Sequence, residues 1–392
     1  MKTLIELYDD RPIENVLASE VFMPEKTVFL CPPEVAQNKL LKMKLKEYFA
    51  YRKLKTEPIF LESSMYNADK LLAQLTKVTK TYPDCVVDLT GGTEAALFAC
   101  GMLTKSCGTP AFTYSRRKQK FFNISGAPFA ENLPCTLEHS VEDCFRMAGG
   151  ALRKGRVDNA ILGRYSDKIE PYFKLYMKHR VGWTKAVSFI QQVSQGQKDK
   201  KPSLYVKSPY TVKTGRGSRT DAPEEILRDY ASLGFIKKLK IKRGESVSFE
   251  FADQQVRTWM RDVGSVLELY VWKLCLDSSL FGDVVTSAVV DWEGSFSGDS
   301  VTNEIDVMTM RGVMPFFISC KTCAVSTEAI NELAILRDRF GGKGAKAAIV
   351  TAERCKSITR HRASELNIKV IDLDDIKSGK AGERIRALAE EE

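Results

Sequence analysis

From Met1 to about Ser140 the chain alternates short apolar runs with amphipathic ones. Thr3 to Tyr8, Lys26 to Cys31, Pro58 to Leu61 and Cys85 to Leu89 are apolar runs of strand length. Between them, Glu34 to Tyr51 follows Pro32-Pro33 and reads as a helix. Ala68 to Lys80 carries Leu71, Leu72, Leu75 and Val78 on one helical face, and Glu94 to Leu103 is a further helix. Strands alternating with helices predict a parallel sheet covered by helices on both faces.

The pattern changes near Val141, where it becomes helical and more basic. Gln191 to Lys201 is polar and reads as a linker, and Thr211 to Arg219, with Gly215 and Gly217, as an exposed loop. Ala222 to Phe251 gives a helix opened by Pro223, with Ile226, Tyr230, Leu233 and Phe235 apolar. Two strands follow, Lys237 to Lys242 and Val247 to Phe251, around Arg243-Gly244. Helix then ribbon resembles a winged-helix module. Its cations (Arg228, Lys237, Lys238, Lys240, Lys242, Arg243) suit either a backbone phosphate or plain solvation. A long helix is expected over Asp253 to Asp277, with Val256, Trp259, Val263, Leu267, Tyr270 and Leu274 at helical spacing. Strands near Val284 to Trp292, Glu304 to Met310 and Pro315 to Cys320 follow, then a helix at Glu328 to Phe340. A strand at Ala347 to Thr351, a helix at Thr359 to Leu366 and a strand at Lys369 to Leu373 close the chain. The expected class is α/β, in three parts: 1–145, a Rossmann-like domain with a parallel sheet; 146–250, a helical linker with the winged-helix-like segment; and 251–392, a second α/β domain.

Composition narrows the function classes. At 392 residues the chain exceeds what one core usually serves. With 44% hydrophobic and 28% charged residues it is globular and not disordered. The excess of 59 Lys and Arg over 50 Asp and Glu, net +9, fits a phosphate-rich partner as well as a solvated basic surface. No apolar stretch has the ~18 residues of a membrane span. Met1 to Asp10 does not read as a signal peptide, and the 10 cysteines, scattered through hydrophobic segments, read as reduced core residues of a cytoplasmic protein. His139, His179 and His361 are too few and too scattered for a His-rich zinc site or a Ser-His-Asp triad. Cys320 and Cys323 lack a second pair to complete a four-ligand zinc site.

The chemistry concentrates near the C-terminus. Read as a strand, Asn303 to Val307 puts Glu304 and Asp306 on one face. Pro315 to Lys321 puts Ser319 and Lys321 on one face, and the turn signal Arg311-Gly312 predicts a hairpin that joins the two sets. Carboxylate oxygens suit Mg²⁺ or Mn²⁺, which polarises a phosphoryl group and activates water. Lys321 then orients or deprotonates the water and stabilises developing charge. The Cys320 carbonyl, Asp291 on the preceding strand and Glu268 beside the apolar stripe of the long helix complete the candidate metal ligands. Asp306 followed by Ser319-Cys320-Lys321, with Glu268 on the preceding helix, resembles the motif of the PD-(D/E)xK nuclease superfamily. Ser319 departs from it, since the family pattern has Asp or Glu there. The bland alternative is a surface hairpin with an Asp306–Lys321 salt bridge.

A second constellation lies near the N-terminus. Val86 to Thr93 (VVDLTGGT) is a buried strand, a Thr90-Gly91-Gly92-Thr93 turn and a helix start. Its spacing fits neither a P-loop nor a dinucleotide fingerprint, and a plain helix N-cap is the competing reading. The loops at Asp9 to Asn15 and Glu62 to Asn67 lie at the same strand ends, where open parallel sheets bind ligands. This arrangement resembles a CARF domain, the sensor domain of type III CRISPR defence proteins. A CARF domain joined to a PD-(D/E)xK nuclease resembles the Card and Can family of CRISPR ancillary nucleases.

That resemblance implies a homodimer that binds cyclic oligoadenylate, often cyclic tetra-adenylate, and then cleaves nucleic acid: single-stranded DNA or RNA, or double-stranded DNA. Carried over, Thr90, Gly91, Gly92 and Thr93 cradle the ligand, with Asp10, Arg11 and Ser64 beside them. Asp306, Lys321 and Glu304 are catalytic. Glu268, Asp291, Asp306 and the Cys320 carbonyl hold Mn²⁺ or Mg²⁺. The competing function is a CARF-regulated DNA-binding transcription regulator with an inert nuclease-like domain. A further possibility is that the front domain degrades its own activator.

Overall fold

The computed structural model describes residues 1–153, 159–195, 203–213, 215, 218–294, 301–342 and 344–390. The end of the expected linker, 196–201, and residues 214, 216 and 217 of the expected loop lie outside them.

The front of the chain builds β1 (Thr3–Leu7), α1 (Leu17–Phe22), β2 (Lys26–Cys31), α2 (Pro33–Ala36), α3 (Lys39–Tyr51), β3 (Glu57–Glu62), α4 (Ala68–Thr81), β4 (Cys85–Asp88), α5 (Glu94–Cys107), β5 (Ala111–Ser115), β6 (Lys120–Ser125) and β7 (Leu133–Pro134). These strands make a seven-stranded sheet in the order β3-β2-β1-β4-β5-β6-β7. β1 to β5 pair in parallel; β6 and β7 add an antiparallel edge. Order reverses between β1 and β4, which puts the loops after these two strands at the topological switch point. Apolar cores form on both faces, one around Phe29, Phe49 and Phe112, the other around Leu30, Leu71 and Leu103. The expected helix over Glu34 to Tyr51 is two helices. Asn38 breaks it, because its side-chain oxygen accepts the Leu41 N–H at 3.1 Å and caps α3 instead of continuing α2.

The middle of the chain holds α6 (Val141–Met147), β8 (Ala151–Arg153), α7 (Asn159–Arg164), α8 (Ser166–His179), α9 (Trp183–Val193), β9 (Tyr205–Pro209), β10 (Thr211–Lys213), β11 (Arg219–Asp221), α10 (Glu224–Ser232), β12 (Ile236–Lys242) and β13 (Ser246–Phe251). The expected ribbon β12–β13 gains β9 as a third antiparallel strand. Its cations are partly neutralised at home: Lys238 pairs with Glu250 at 2.7 Å and Arg228 with Glu224 at 3.5 Å. Tyr172, Trp183, Tyr230, Phe235 and Trp259 are fully buried and join this module to the rear domain in one continuous core.

The rear domain contains α11 (Gln254–Met260), α12 (Ser265–Asp277), β14 (Asp283–Asp291), β15 (Thr302–Arg311), β16 (Met314–Lys321), α13 (Thr327–Leu336), β17 (Lys346–Thr351), α14 (Ser357–Glu365), β18 (Ile368–Ile371), α15 (Leu373–Lys377) and α16 (Ala381–Glu390). Its sheet runs β18-β17-β16-β15-β14-β8. The antiparallel β14–β15–β16 meander carries a parallel extension at β17 and β18. β8 therefore belongs to this sheet, and α6 packs on it through Phe145, whose ring lies 5.1 Å from that of Phe340. The expected boundary at 145/146 thus falls inside a segment bound to the rear sheet. The expected long helix over Asp253 to Asp277 is also two helices. Asp262 accepts the Ser265 N–H at 2.7 Å and its hydroxyl at 2.6 Å, which starts α12 afresh after Gly264. Among the described residues no helix is long and apolar enough to cross a membrane.

Candidate functional site

The β15–β16 hairpin turns at Arg311–Met314, as its turn signal predicts, and pairs residue by residue as far as Val307 with Ile318. Beyond that pair the Asp306 carboxylate takes over. Its Oδ2 accepts the Cys320 N–H at 2.6 Å and the Ser319 hydroxyl at 3.0 Å, and faces Lys321 Nζ at 3.4 Å. Its Oδ1 has no hydrogen bond among the described residues. Glu304 lies two positions back on the same face, exposed, and lines the same small cleft as Asp306, Ser319 and Lys321.

Glu268 comes to this site from α12. Its Oε2 accepts the Ser287 hydroxyl at 2.9 Å, and its Oε1 curls against Gly264. Ser287 sits mid-strand in β14 with φ 51°, in the left-handed region, at the register position facing Asp306. Burial and then the Asp306 charge push the Glu268 carboxyl up to about 8, so it holds a proton at neutral pH. Burial pulls the Lys321 ammonium down, but Asp306 outweighs it and the net shift is upward. Lys321 is therefore a fixed cation beside Asp306 and not a base poised near neutrality.

Asp291 is not brought to this cleft. It is buried at the far end of β14, across from Thr302, and its Oδ1 accepts the N–H groups of Glu293 at 2.8 Å and Gly294 at 2.9 Å. Thr302 is four residues from Asp306, ~13 Å along an extended strand. Cys320 is buried and Cys323 exposed, and neither belongs to a group of possible metal ligands among the described residues. Among the described residues the only three ligands within 4.8 Å of one another are His179, Glu225 and Asp229. That group is already filled, because Lys178 Nζ bridges Glu225 and Asp229 at 2.9 Å each.

The cleft nonetheless fits a hard divalent cation. Asp306 Oδ1 has no hydrogen bond among the described residues, and Glu304 and Glu332 line the same cleft with oxygens of the kind hard cations take; the raised Glu268 carboxyl, coupled to Asp306, marks a desolvated acid that a cation would ionise. Glu304, being exposed, is free to swing toward it. Glu332 of α13 was not anticipated. It lines the cleft, pulls Lys321 upward and is held by Asn303 at 2.8 Å. Only a two-turn helix face, with Glu328 and Glu332 in register, hinted at it in the sequence.

The front constellation is tightly knit. The Thr90 hydroxyl donates to Asp88 and accepts the Tyr114 N–H at 2.8 Å. Thr93 donates to the Met65 carbonyl and accepts the Ala96 N–H at 3.2 Å, the N-cap of α5. Gly92 has φ +96°, and its N–H donates to Asp9 Oδ2 at 3.1 Å. A side chain on Gly91 would meet Asp9 Cβ at 3.0 Å, so the loop after β4 lies directly on the loop after β1. Asp9, which sequence reasoning passed over, also binds Arg11 at 3.0 Å. Beneath them, burial raises the carboxyls of Glu6, Asp88 (to about 7) and Glu14. Ser64 is half-buried, Asp10 exposed, and Tyr66 stands 83% exposed beside the loop.

Residues 255–386, which hold Glu268, Glu304, Asp306 and Lys321, match the family model described as Card1-like, endonuclease domain. The rear domain is thus similar to a Card1-like endonuclease domain. In overall fold the chain is similar to protein VC1899 from Vibrio cholerae, with TM-score 0.75 and 15% identity over 100% of this chain and 99% of that one. It is similar also to Can2 from Sulfobacillus thermosulfidooxidans, solved in complex with cyclic tetra-adenylate. There the TM-score is 0.69 and the identity 16%, over 99% of this chain and 97% of that one. These likenesses extend over the front domain as well as the rear one, so the two-domain α/β fold expected from the sequence is shared with both proteins. No curated protein matches the chain.

Proposed function

We propose that the chain is a cyclic-oligoadenylate-activated, metal-dependent nuclease of type III CRISPR antiviral defence. One observation carries the reading: in the segment that matches an endonuclease family, Asp306 lies between parted strands with Lys321 Nζ at 3.4 Å and Glu268 desolvated nearby. The front half supports the activator side, because two loops converge at its switch point in a fold shared with a protein solved with cyclic tetra-adenylate.

In this reading Mn²⁺ or Mg²⁺, when bound, polarises the scissile phosphate of a DNA or RNA strand. Glu268, Glu304, Asp306 and the Cys320 carbonyl would hold it. Asp306 is itself fixed by the Ser319 hydroxyl and the Cys320 N–H, so its free oxygen is aimed before substrate arrives. Lys321, a cation in the resting site, offsets charge that develops on the phosphate. Thr90 to Thr93, with Asp10, Arg11 and Ser64, form the activator loop. Leu97 and Phe98 of α5 and Tyr66 are exposed apolar side chains near it, which suits a two-fold interface around a two-fold ligand.

The test incubates the full chain with Mn²⁺ or Mg²⁺ and with single-stranded DNA, single-stranded RNA or supercoiled plasmid, with and without cyclic tetra-adenylate. Activator-dependent cleavage, lost in Lys321→Ala while activator binding persists, is the expected result. Sequence-specific duplex binding without cutting would establish the regulator instead. Light scattering with and without activator reads the dimer.

A further inference from the structure

The front domain and the endonuclease domain together line a half-open cavity of about 680 Å³, within the size range of ligand sites. Its front wall is the ligand loop at Thr90, Arg11 after β1, and the β5–β6 turn. Its rear wall is Arg311 at the end of β15 and Lys346 at the start of β17. Six cations line it (Arg11, Arg116, Arg117, Lys118, Arg311 and Lys346), against two carboxylates, Glu14 and Glu390.

Several of these charges are compensated locally, and some are not. Arg11 pairs with Asp9 at 3.0 Å, and Arg116 with Glu14 at 2.5 Å. Arg311 donates to the Ala389 carbonyl, which carries no full charge. Lys118 stands 5.3 Å over the Phe122 ring. Lys346 is half-buried and has no carboxylate partner among the described residues. An ammonium without a carboxylate partner is available to donate charge-assisted hydrogen bonds to a phosphate. The two walls also touch: a side chain on Gly342 would lie 3.5 Å from Arg11 Cβ, and one on Gly344 3.3 Å from Arg116 Cδ.

We propose that this cavity extends the activator site across the domain boundary, with Lys346, Lys118 and Arg311 taking phosphate groups of the cyclic oligonucleotide held at Thr90 to Thr93. The proposal rests on the reading of that loop as the activator site. It supplies what activation physically requires. A ligand shifts a conformational equilibrium only by binding the two arrangements differently. A phosphate contact with Lys346 reaches across the boundary and so depends directly on where the rear domain sits. Lys346 also opens β17, whose other end, Thr351, pairs with Lys321. One strand of ~17 Å then runs from the cavity to the active site.

The test measures binding of fluorescent cyclic tetra-adenylate and activated cleavage in the full chain, comparing wild type with Lys346→Ala, Lys346→Arg and Lys118→Ala. Loss of one charge-assisted phosphate contact corresponds to roughly tenfold weaker binding. Lys346→Ala should show it, Lys346→Arg should retain affinity, and the difference should shrink at high salt. At saturating activator, Lys346→Ala should also reach a lower maximal rate. Unchanged affinity and unchanged maximal rate in a folded Lys346→Ala, with wild type binding and activated, would overturn the cavity alone. Failure of wild type to bind any cyclic oligoadenylate would overturn the loop reading, and this proposal with it.

Discussion

The Ser319 hydroxyl donates to Asp306 Oδ2 at 3.0 Å, so the residue that stands where the resembled nuclease motif has an acid holds Asp306 in place. Ser319→Asp would set two carboxylates side by side where only 9% of the residue reaches solvent. Like charges this close disfavour ionisation. The metal-free variant should melt lower than wild type, and Mn²⁺ should raise its melting temperature by more than it raises that of wild type. Equal Mn²⁺ shifts in both proteins, read by scanning calorimetry, would argue against a metal at Asp306.

Lys321 is the simplest catalytic test. Asp306 outweighs burial and raises its ammonium, so in the proposed reaction Lys321 acts as a charge stabiliser. Deleting one such group from a preorganised site typically costs ~10²–10³ in rate. Lys321→Ala should lose that much cleavage in single-turnover assays while it binds activator normally. The wild-type pH profile should contain no rising limb that shifts in Lys321→Arg. Such a limb would mark Lys321 as a base after all.

Glu268 gives a pH prediction with a definite sign. Its folded value of about 8 lies above the ordinary 4.5 because its carboxyl is desolvated. The neutral form is therefore favoured on folding. That advantage is complete below about pH 4.5 and is lost as pH rises through about 8. Glu268→Gln keeps the neutral shape, so the metal-free variant should be more stable than wild type at pH 9 and nearly equal at pH 5. The same variant should bind Mn²⁺ more weakly by titration calorimetry. A destabilised variant at pH 9 would refute the desolvation account.

Much of this was legible before the fold was known, because it depended on local rules. Alternation put Glu304 and Asp306 on one face, and Arg311-Gly312 turned the hairpin that delivers Lys321. The helix residue Glu268 was found from its place beside an apolar stripe. What escaped depends on long-range packing. Asn38 and Asp262 have side chains that cap as readily as they continue a helix, and only the surrounding fold decides between these outcomes. β8 is too short to announce itself and becomes a strand by pairing with β14. Asp291 shares the face of the site by alternation, yet its carboxylate is spent on the turn at Glu293 and Gly294. Lys346 and Arg116 lie far apart in sequence and acquire meaning only because two domains close around them.

Gly92 offers a test of the front loop that leaves the nuclease chemistry untouched. Its φ of +96° is rarely adopted by other residues, and a Cβ there would sit 2.8 Å from Leu7. Gly92→Ala should therefore cost about 1–3 kcal/mol of stability and push the loop off Asp9, whose carboxylate accepts the Gly92 N–H. Gly163 is a control, since a side chain there meets nothing within 4 Å; in its helix Gly163→Ala should gain up to about 1 kcal/mol. Denaturant melts read both. Binding of cyclic tetra-adenylate should fall in Gly92→Ala and hold in Gly163→Ala. Equal binding in the two, with Gly92→Ala folded, would move the activator away from this loop.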